Sequence, residues 1–89
     1  MAEDRDVRIR RLRYRASHTG MREIDLILGG FAKAHLADLA DRDLDGFEGL
    51  LTHSEADLFT WIAGSSLPPD SLDRSLLQRI QAFQPSTSL

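Results

Sequence analysis

The chain has 89 residues, of which 42% are hydrophobic and 28% are charged, and its formal net charge is −3. This composition is ordinary for a globular protein and excludes a disordered one, while the length allows one compact domain but not two. Because the sequence contains no cysteine, disulfides, thiolate metal sites and thiol catalysis are also excluded.

The charges are distributed unevenly along the chain. Residues 1–35 contain eight basic and five acidic residues, whereas residues 36–89 contain three and nine. The basic excess lies in seven arginines near the start: Arg5, Arg8, Arg10, Arg11, Arg13, Arg15 and Arg22. No apolar run approaches the roughly 20 residues that span a bilayer, and the acids among the first six residues are untypical of targeting peptides. We therefore expect a cytoplasmic protein that does not insert into membranes.

The first predicted helix extends from Asp4 to Ala16. Its apolar residues Ile9, Leu12 and Ala16 recur at helical spacing, and arginines fill the other faces. The pattern predicts an amphipathic helix with a basic exterior. The following segment, 17–20, contains two hydroxyl side chains suited to N-capping and a glycine suited to positive φ, which indicates a tight turn.

The second predicted helix, from Met21 to His35, has the strongest periodicity in the sequence. Its apolar stripe comprises Met21, Ile24, Leu28, Phe31 and His35, with Ile27 beside it. Gly29 and Gly30 lie in its middle, where each costs roughly 1 kcal/mol relative to alanine. We interpret this pair as a site of close packing rather than a break.

Three further helices are predicted in the second half of the chain. One extends from Leu39 to Leu51 with Asp41 as its cap, and the next begins with a capping-box-like start at Ser54 and ends near Gly64. Its aromatic residues, Phe59 and Trp61, are typical of a core. The last helix follows Pro68 and Pro69, is capped by Asp70 or Ser71, and continues to about Gln84 with an apolar stripe of Leu72, Leu76, Ile80 and Phe83.

These elements predict an all-α protein, a small five-helix bundle that forms a single domain over residues 1–89. We expect an ordered core over about residues 5–84 and a frayed tail over residues 85–89.

Motifs for catalysis or metal binding are absent from the sequence. His18, His35 and His53 lack the spacing that places two imidazoles on one helix face, so we predict neither a metal site nor catalytic residues. The arginine-rich first helix is suited to phosphates or to an acidic protein surface. The acidic overall balance and the lack of interleaved aromatic residues disfavour nucleic acid. The residue pattern thus leaves open a protein-docking module and a small nucleic-acid-binding module; a small enzyme using His18 and Glu23 would need a pocket.

A family resemblance favours the docking module. The run from Arg11 to Ala32, RLRYRASHTGMREIDLILGGFA, resembles the succinate dehydrogenase assembly factor 2 family, also called flavinators, which carries an Arg-Gly-x-x-Glu motif. Residues 47–51 (FEGLL) and 57–61 (DLFTW) resemble a second block of that family, so the likeness covers about residues 7–84.

The resemblance implies a five-helix bundle that promotes covalent attachment of FAD to a histidine of the flavoprotein subunit of succinate dehydrogenase. It implies an assembly factor and not an enzyme, with fumarate reductase as a further client. We expect such a protein to bind no cofactor stably, to act on the FAD of its client, to be a monomer when free, and not to bind nucleic acid.

The motif identifies a predicted partner-binding surface. Gly20 and Glu23 match its glycine and glutamate, but Thr19 stands where the family has arginine. Either Arg15 or Arg22 supplies the missing charge, or the activity is altered. Gly30 is a second departure from a frequent arginine, and we expect it to change packing rather than chemistry. The predicted surface comprises Arg15, His18, Thr19, Gly20, Met21, Arg22, Glu23 and Asp25.

Overall fold

Apolar residues at helical spacing form five helices, as the sequence predicts, in a computed structural model that describes residues 3–83. The helices are α1 (Arg5–Ala16), α2 (Arg22–His35), α3 (Asp41–Leu50), α4 (Glu55–Ala63) and α5 (Arg74–Ala82). Within these residues there is no strand, which confirms the all-α prediction. The predicted tail at residues 85–89 lies outside the described residues.

The core lies where the apolar stripes of the helices meet. Phe31 of α2 and Phe47 of α3 are almost fully buried, and their rings are stacked with centroids 6.0 Å apart. Trp61 is also buried, as predicted, but Phe59 is 42% exposed and is not a core residue. No helix in the described part of the chain is long and apolar enough to cross a membrane.

The glycine pair in α2 marks two close contacts, and the helix continues through it unbroken. A Cβ added at Gly29 would lie 2.5 Å from Ser17 Oγ and 3.2 Å from Ser17 Cα. A Cβ at Gly30 would lie 2.9 Å from the ring of Phe83. The interpretation of the pair as a site of close packing is therefore confirmed.

Several predicted helix starts were wrong. The N-cap of α2 is Met21, which makes no side-chain cap, so neither hydroxyl of the turn serves that purpose. The helix predicted from Leu39 begins at Asp41 after a separate 3₁₀ turn at Leu36–Asp38, and Ala40 precedes it without a side-chain cap. The Asp41 carboxylate instead pairs with Arg5.

The start of α5 also differs from the prediction, whereas α4 agrees with it. Asp73, and neither Asp70 nor Ser71, caps α5 by accepting a hydrogen bond from the Leu76 amide. The chain after the two prolines first makes a turn, with the Leu72 amide bonded to the Pro69 carbonyl. Ser54 caps α4 and Gly64 ends it at a φ of 79°.

Within residues 3–83, three of the six arginines that form the predicted basic exterior of α1 pair with acids of α3. Arg5 pairs with Asp41, and Arg8 pairs with Asp45 and Glu48. Arg11 pairs with Glu3 and Glu48. The Glu48 carboxylate bridges two arginines, at 3.0 Å from each. These ion pairs join the surfaces of α1 and α3.

Two carboxyl groups of this network are perturbed. Burial raises the pKa of Glu48, but hydrogen bonds from Arg11 and Arg8 outweigh burial and hold this pKa below its ordinary value of 4.5. The hydrogen bond with Arg11 likewise lowers the pKa of Glu3. Groups with a lowered folded-state pKa stabilise the protein above their unfolded-state pKa, and this stabilisation is lost as pH falls through the folded-state value.

Replacing Gly29 and Gly49 by alanine is expected to change stability in opposite directions. Gly49 has nothing within 4 Å of an added Cβ, so Gly49→Ala should raise the free energy of unfolding by about 1 kcal/mol through helix propensity. Gly29→Ala should lower it by about 1 kcal/mol, because overpacking against the Ser17 backbone exceeds the propensity gain. Urea unfolding of both variants checks this, and a stabilised Gly29→Ala variant would show that the Ser17 contact is not tight.

Removing the Glu48 charge is expected to reduce stability at neutral pH but not in acid. Glu48→Gln should cost up to about 1 kcal/mol at neutral pH, since the pairs are partly exposed. Well below pH 4.5 the difference should vanish, because the wild-type carboxylate is then protonated. Chemical unfolding at both pH values checks this, with Asp38→Asn, an exposed acid without an ion pair in residues 3–83, as the control. A pH-independent difference would contradict the role of the charge.

Candidate functional site

The predicted partner-binding residues lie in the turn between α1 and α2 and in the adjoining ends of these two helices. The turn begins where Ser17 ends α1, with its amide bonded to the carbonyls of Arg13 and Tyr14. Gly20 follows with a φ of 104°, in the left-handed region that favours glycine, and Met21 is extended before α2 begins. The positive φ predicted at this position is confirmed.

An aspartate in the first turn of α2 holds this turn in place. Asp25 Oδ1 accepts hydrogen bonds from the Thr19 amide at 2.6 Å and from the Thr19 hydroxyl at 2.7 Å. The threonine that replaces the motif's arginine is half-buried and serves as a donor within the turn. Asp25 and Thr19 therefore contribute to the site by fixing the backbone.

The motif glycine and glutamate lie on the surface. Gly20, Arg22 and Glu23 are exposed, whereas Met21 is partly buried and packs against the core. Glu23 lies in the first turn of α2, where the helix dipole stabilises a carboxylate. The structure thus leaves the predicted contact residues Gly20 and Glu23 accessible to a partner.

His18 is exposed but is held by its neighbour on α1. Its ring stacks on Tyr14 with centroids 4.0 Å apart, and its Nδ1 lies 2.7 Å from the Tyr14 carbonyl oxygen. A ring nitrogen facing a carbonyl oxygen carries a proton, so Nδ1 is the donor and Nε2 stays available. The stack forms an aromatic platform beside the turn.

A pocket of about 280 Å³ adjoins the turn and is lined by residues from the turn and from distant parts of the chain. We call it the Arg15 pocket; its lining residues are Tyr14, Arg15, His18, Thr19, Leu51, His53, Glu55 and Leu58. Arg15 is half-buried and donates to the Leu51 carbonyl at 3.3 Å. The pocket thus brings together three predicted site residues, whereas Gly20, Met21, Arg22, Glu23 and Asp25 do not line it.

Sequence reasoning missed Tyr14, His53 and Glu55 as neighbours of the site. Tyr14 lies within the quoted motif run, but its stacking on His18 depends on the end of α1. His53 and Glu55 are more than 30 residues from Arg15 in the sequence, and no spacing pattern connects them to it. Among residues 3–83, no cluster of three metal-ligating side chains is present.

Comparison with known proteins identifies relatives over most of the chain. The family described as "Flavinator of succinate dehydrogenase" matches residues 10–84. Succinate dehydrogenase assembly factor 2, mitochondrial, of Caenorhabditis briggsae is 30% identical over 91% of this chain and 69% of its own length. The protein of the same name from Candida glabrata is 31% identical over 91% of this chain and 56% of its own length.

A bacterial relative has a related name. The FAD assembly factor SdhE of Acetobacter pasteurianus is 32% identical over 90% of this chain and 74% of its own length. These three relatives are named as assembly factors and not as enzymes. The matches confirm the family resemblance and the prediction of an assembly factor.

Removing the Thr19 hydroxyl is expected to destabilise the turn. Thr19→Val keeps the side-chain shape but loses the hydrogen bond that the hydroxyl donates to Asp25, which should lower the free energy of unfolding by about 1 kcal/mol. Thr19→Ser retains the hydroxyl and should behave like the wild type. Denaturant unfolding, with hydrogen exchange of the Thr19 amide, checks this; an amide in Thr19→Val as protected as in wild type would show that the hydroxyl does not support the turn.

Proposed function

The chain belongs to the family of flavinators of succinate dehydrogenase, and we propose that it promotes covalent attachment of FAD by binding the flavoprotein subunit of that enzyme. The bacterial relative's name, FAD assembly factor, supports this proposal. Fumarate reductase, whose flavoprotein subunit poses the same chemical problem, is a further client under the proposal.

The observation that carries the proposal is an exposed acid on a fixed turn. Glu23 is exposed, and Gly20 beside it presents backbone without a side chain, so that a partner surface can approach closely. The hydrogen bonds between Thr19 and Asp25 hold this surface in one conformation before the partner arrives. Such pre-organisation reduces the entropy cost of docking.

The chemical step under this proposal takes place within the client. A ring nitrogen of the client's acceptor histidine joins the 8α carbon of the flavin, and the nitrogen and that carbon each release a proton. The flavin of the client would itself supply the two-electron acceptor for this step and would take up the two protons, so no added oxidant would be needed. Glu23 orients the acceptor histidine or the client domain that carries it, which brings the reacting atoms together.

The charge distribution favours a protein partner over nucleic acid. Within residues 3–83, three of the seven N-terminal arginines pair with acidic side chains, which reduces the positive charge available to phosphates. We propose that the chain binds no nucleic acid and holds no cofactor stably, acting instead on FAD within the client. We propose further that the free protein is a monomer that acts in the cytoplasm.

Replacing Glu23 by alanine is expected to reduce covalent flavin in the client without unfolding the chain. The side chain is exposed and makes no hydrogen bond among residues 3–83, so the free energy of unfolding should change by less than about 0.5 kcal/mol. The measurement is in-gel flavin fluorescence of the denatured flavoprotein subunit after incubation with FAD and each variant.

The control is Asp38→Ala, which removes an exposed acid distant in sequence from the turn. It should support flavinylation as well as the wild type does. Equal covalent flavin with Glu23→Ala and with the control would overturn the role of Glu23, and wild-type protein that leaves covalent flavin unchanged would overturn the proposed function.

A further inference from the structure

Arg15 belongs to the arginines of α1 that the neighbouring acids do not neutralise. Arg5, Arg8 and Arg11 are paired with acids, whereas Arg15, like Arg10 and Arg13, makes no ion pair within residues 3–83. Its described bond is one donated by an Nη group to the Leu51 carbonyl at 3.3 Å. A guanidinium has five N–H donors, so most donors of this half-buried cation have no protein partner among those residues.

The Arg15 pocket combines this cation with apolar and aromatic walls. Leu51 and Leu58 are buried core residues that also line the pocket, together with Tyr14, His18, Thr19, His53 and Glu55. The ring of His53 is itself fixed edge-to-face against Trp61, with centroids 4.9 Å apart. Such a pocket suits a group with a short apolar stem and a planar anionic end.

The pocket has room for a side chain of a docked protein. Its volume of about 280 Å³ lies just below the range of roughly 300–1,000 Å³ typical of small-molecule sites. Thr19 and His18 line the pocket and also belong to the turn between α1 and α2, which leads directly to Glu23 at the start of α2. A protein that docks on the turn therefore reaches the pocket with a protruding residue.

We propose that the Arg15 pocket receives an aspartate or glutamate side chain of the flavoprotein subunit, an inference that rests on the proposed function. The planar carboxylate accepts two hydrogen bonds from the guanidinium fork of Arg15, a geometry that lysine or threonine cannot reproduce. Thr19, which stands where the motif has arginine, is tied to Asp25, and of the two arginines that flank this turn, Arg15 and Arg22, Arg15 lines the pocket.

Glu55 gives the proposal a second, opposite test. It lines the same pocket at the first position of α4 but makes no ion pair with Arg15. An incoming carboxylate is repelled by Glu55 and attracted by Arg15. Neutralising these two residues therefore changes affinity in opposite directions for an acidic ligand, and in the reverse directions for a basic one.

The experiment measures the dissociation constant of the full chain for the FAD-free flavoprotein subunit by isothermal titration calorimetry at one ionic strength. Arg15→Gln should weaken binding on the order of tenfold or more. The matched control is Arg13→Gln, because Arg13 is also half-buried on α1 and also donates to carbonyls, at 3.3 and 3.4 Å, but does not line the pocket. It should remain within about twofold of wild type.

Glu55→Gln should strengthen binding about two- to fivefold, whereas Asp57→Asn, which neutralises another exposed acid in the first turn of α4, should not.

Equal affinities for Arg15→Gln and Arg13→Gln, or tighter binding by Arg15→Gln with weaker binding by Glu55→Gln, would overturn the proposal. If circular dichroism shows that Arg15→Gln is unfolded, the comparison of Glu55→Gln with Asp57→Asn decides. A wild-type chain that does not bind the subunit would overturn the proposed function itself, whereas binding that is indifferent to Arg15 and Glu55 would overturn only this inference.

Discussion

The close contact between Gly29 and Ser17 constrains the position of the turn that precedes α2. Because Gly29 has no side chain, the end of α1 can approach the middle of α2 to van der Waals distance. The chain then has only residues 17–21 in which to reverse direction between the two helices. This short reversal requires the positive φ of Gly20 and brings the first turn of α2 to the surface. The position of Glu23 thus depends on packing in the middle of its own helix.

Within the motif region, the residues that hold the backbone in place differ from the residues that are exposed to a partner. Met21 packs against the core, and the hydrogen bonds of Asp25 and Thr19 close the turn. Gly20 and Glu23 remain exposed as a result. A surface built in this way is fixed before a partner binds, which is what the proposed docking on a client requires.

The sequence predicted the features that depend on local periodicity, and failed where distant partners decided the outcome. Apolar spacing identified all five helices, since a buried stripe is encoded within a single segment. The cap assigned to Asp41 was wrong because Arg5, 36 residues away, pairs with that carboxylate. The hydroxyl of Thr19, one of two in the turn that are suited to N-capping, instead donates to Asp25. The Arg15 pocket was not predicted, because its walls come from α1, the turn, the segment after α3 and the start of α4.

Ion pairs with α3 reduce the positive charge that the arginine-rich first helix offers to a ligand. Read as a sequence, it is a basic stripe that suits phosphates, but α3 supplies acids that neutralise the arginines facing it. Charge that remains available lies elsewhere on the helix, and at Arg15 it lies in a half-open pocket that two histidines and two leucines also line. A half-buried cation in a pocket selects a ligand by shape as well as by charge, whereas an open stripe attracts anions of any shape. Because α1 packs on α3, the unpaired positive charge of α1 is confined to fewer arginines. One of them, Arg15, lies close to the turn that leads into α2, where Glu23 lies.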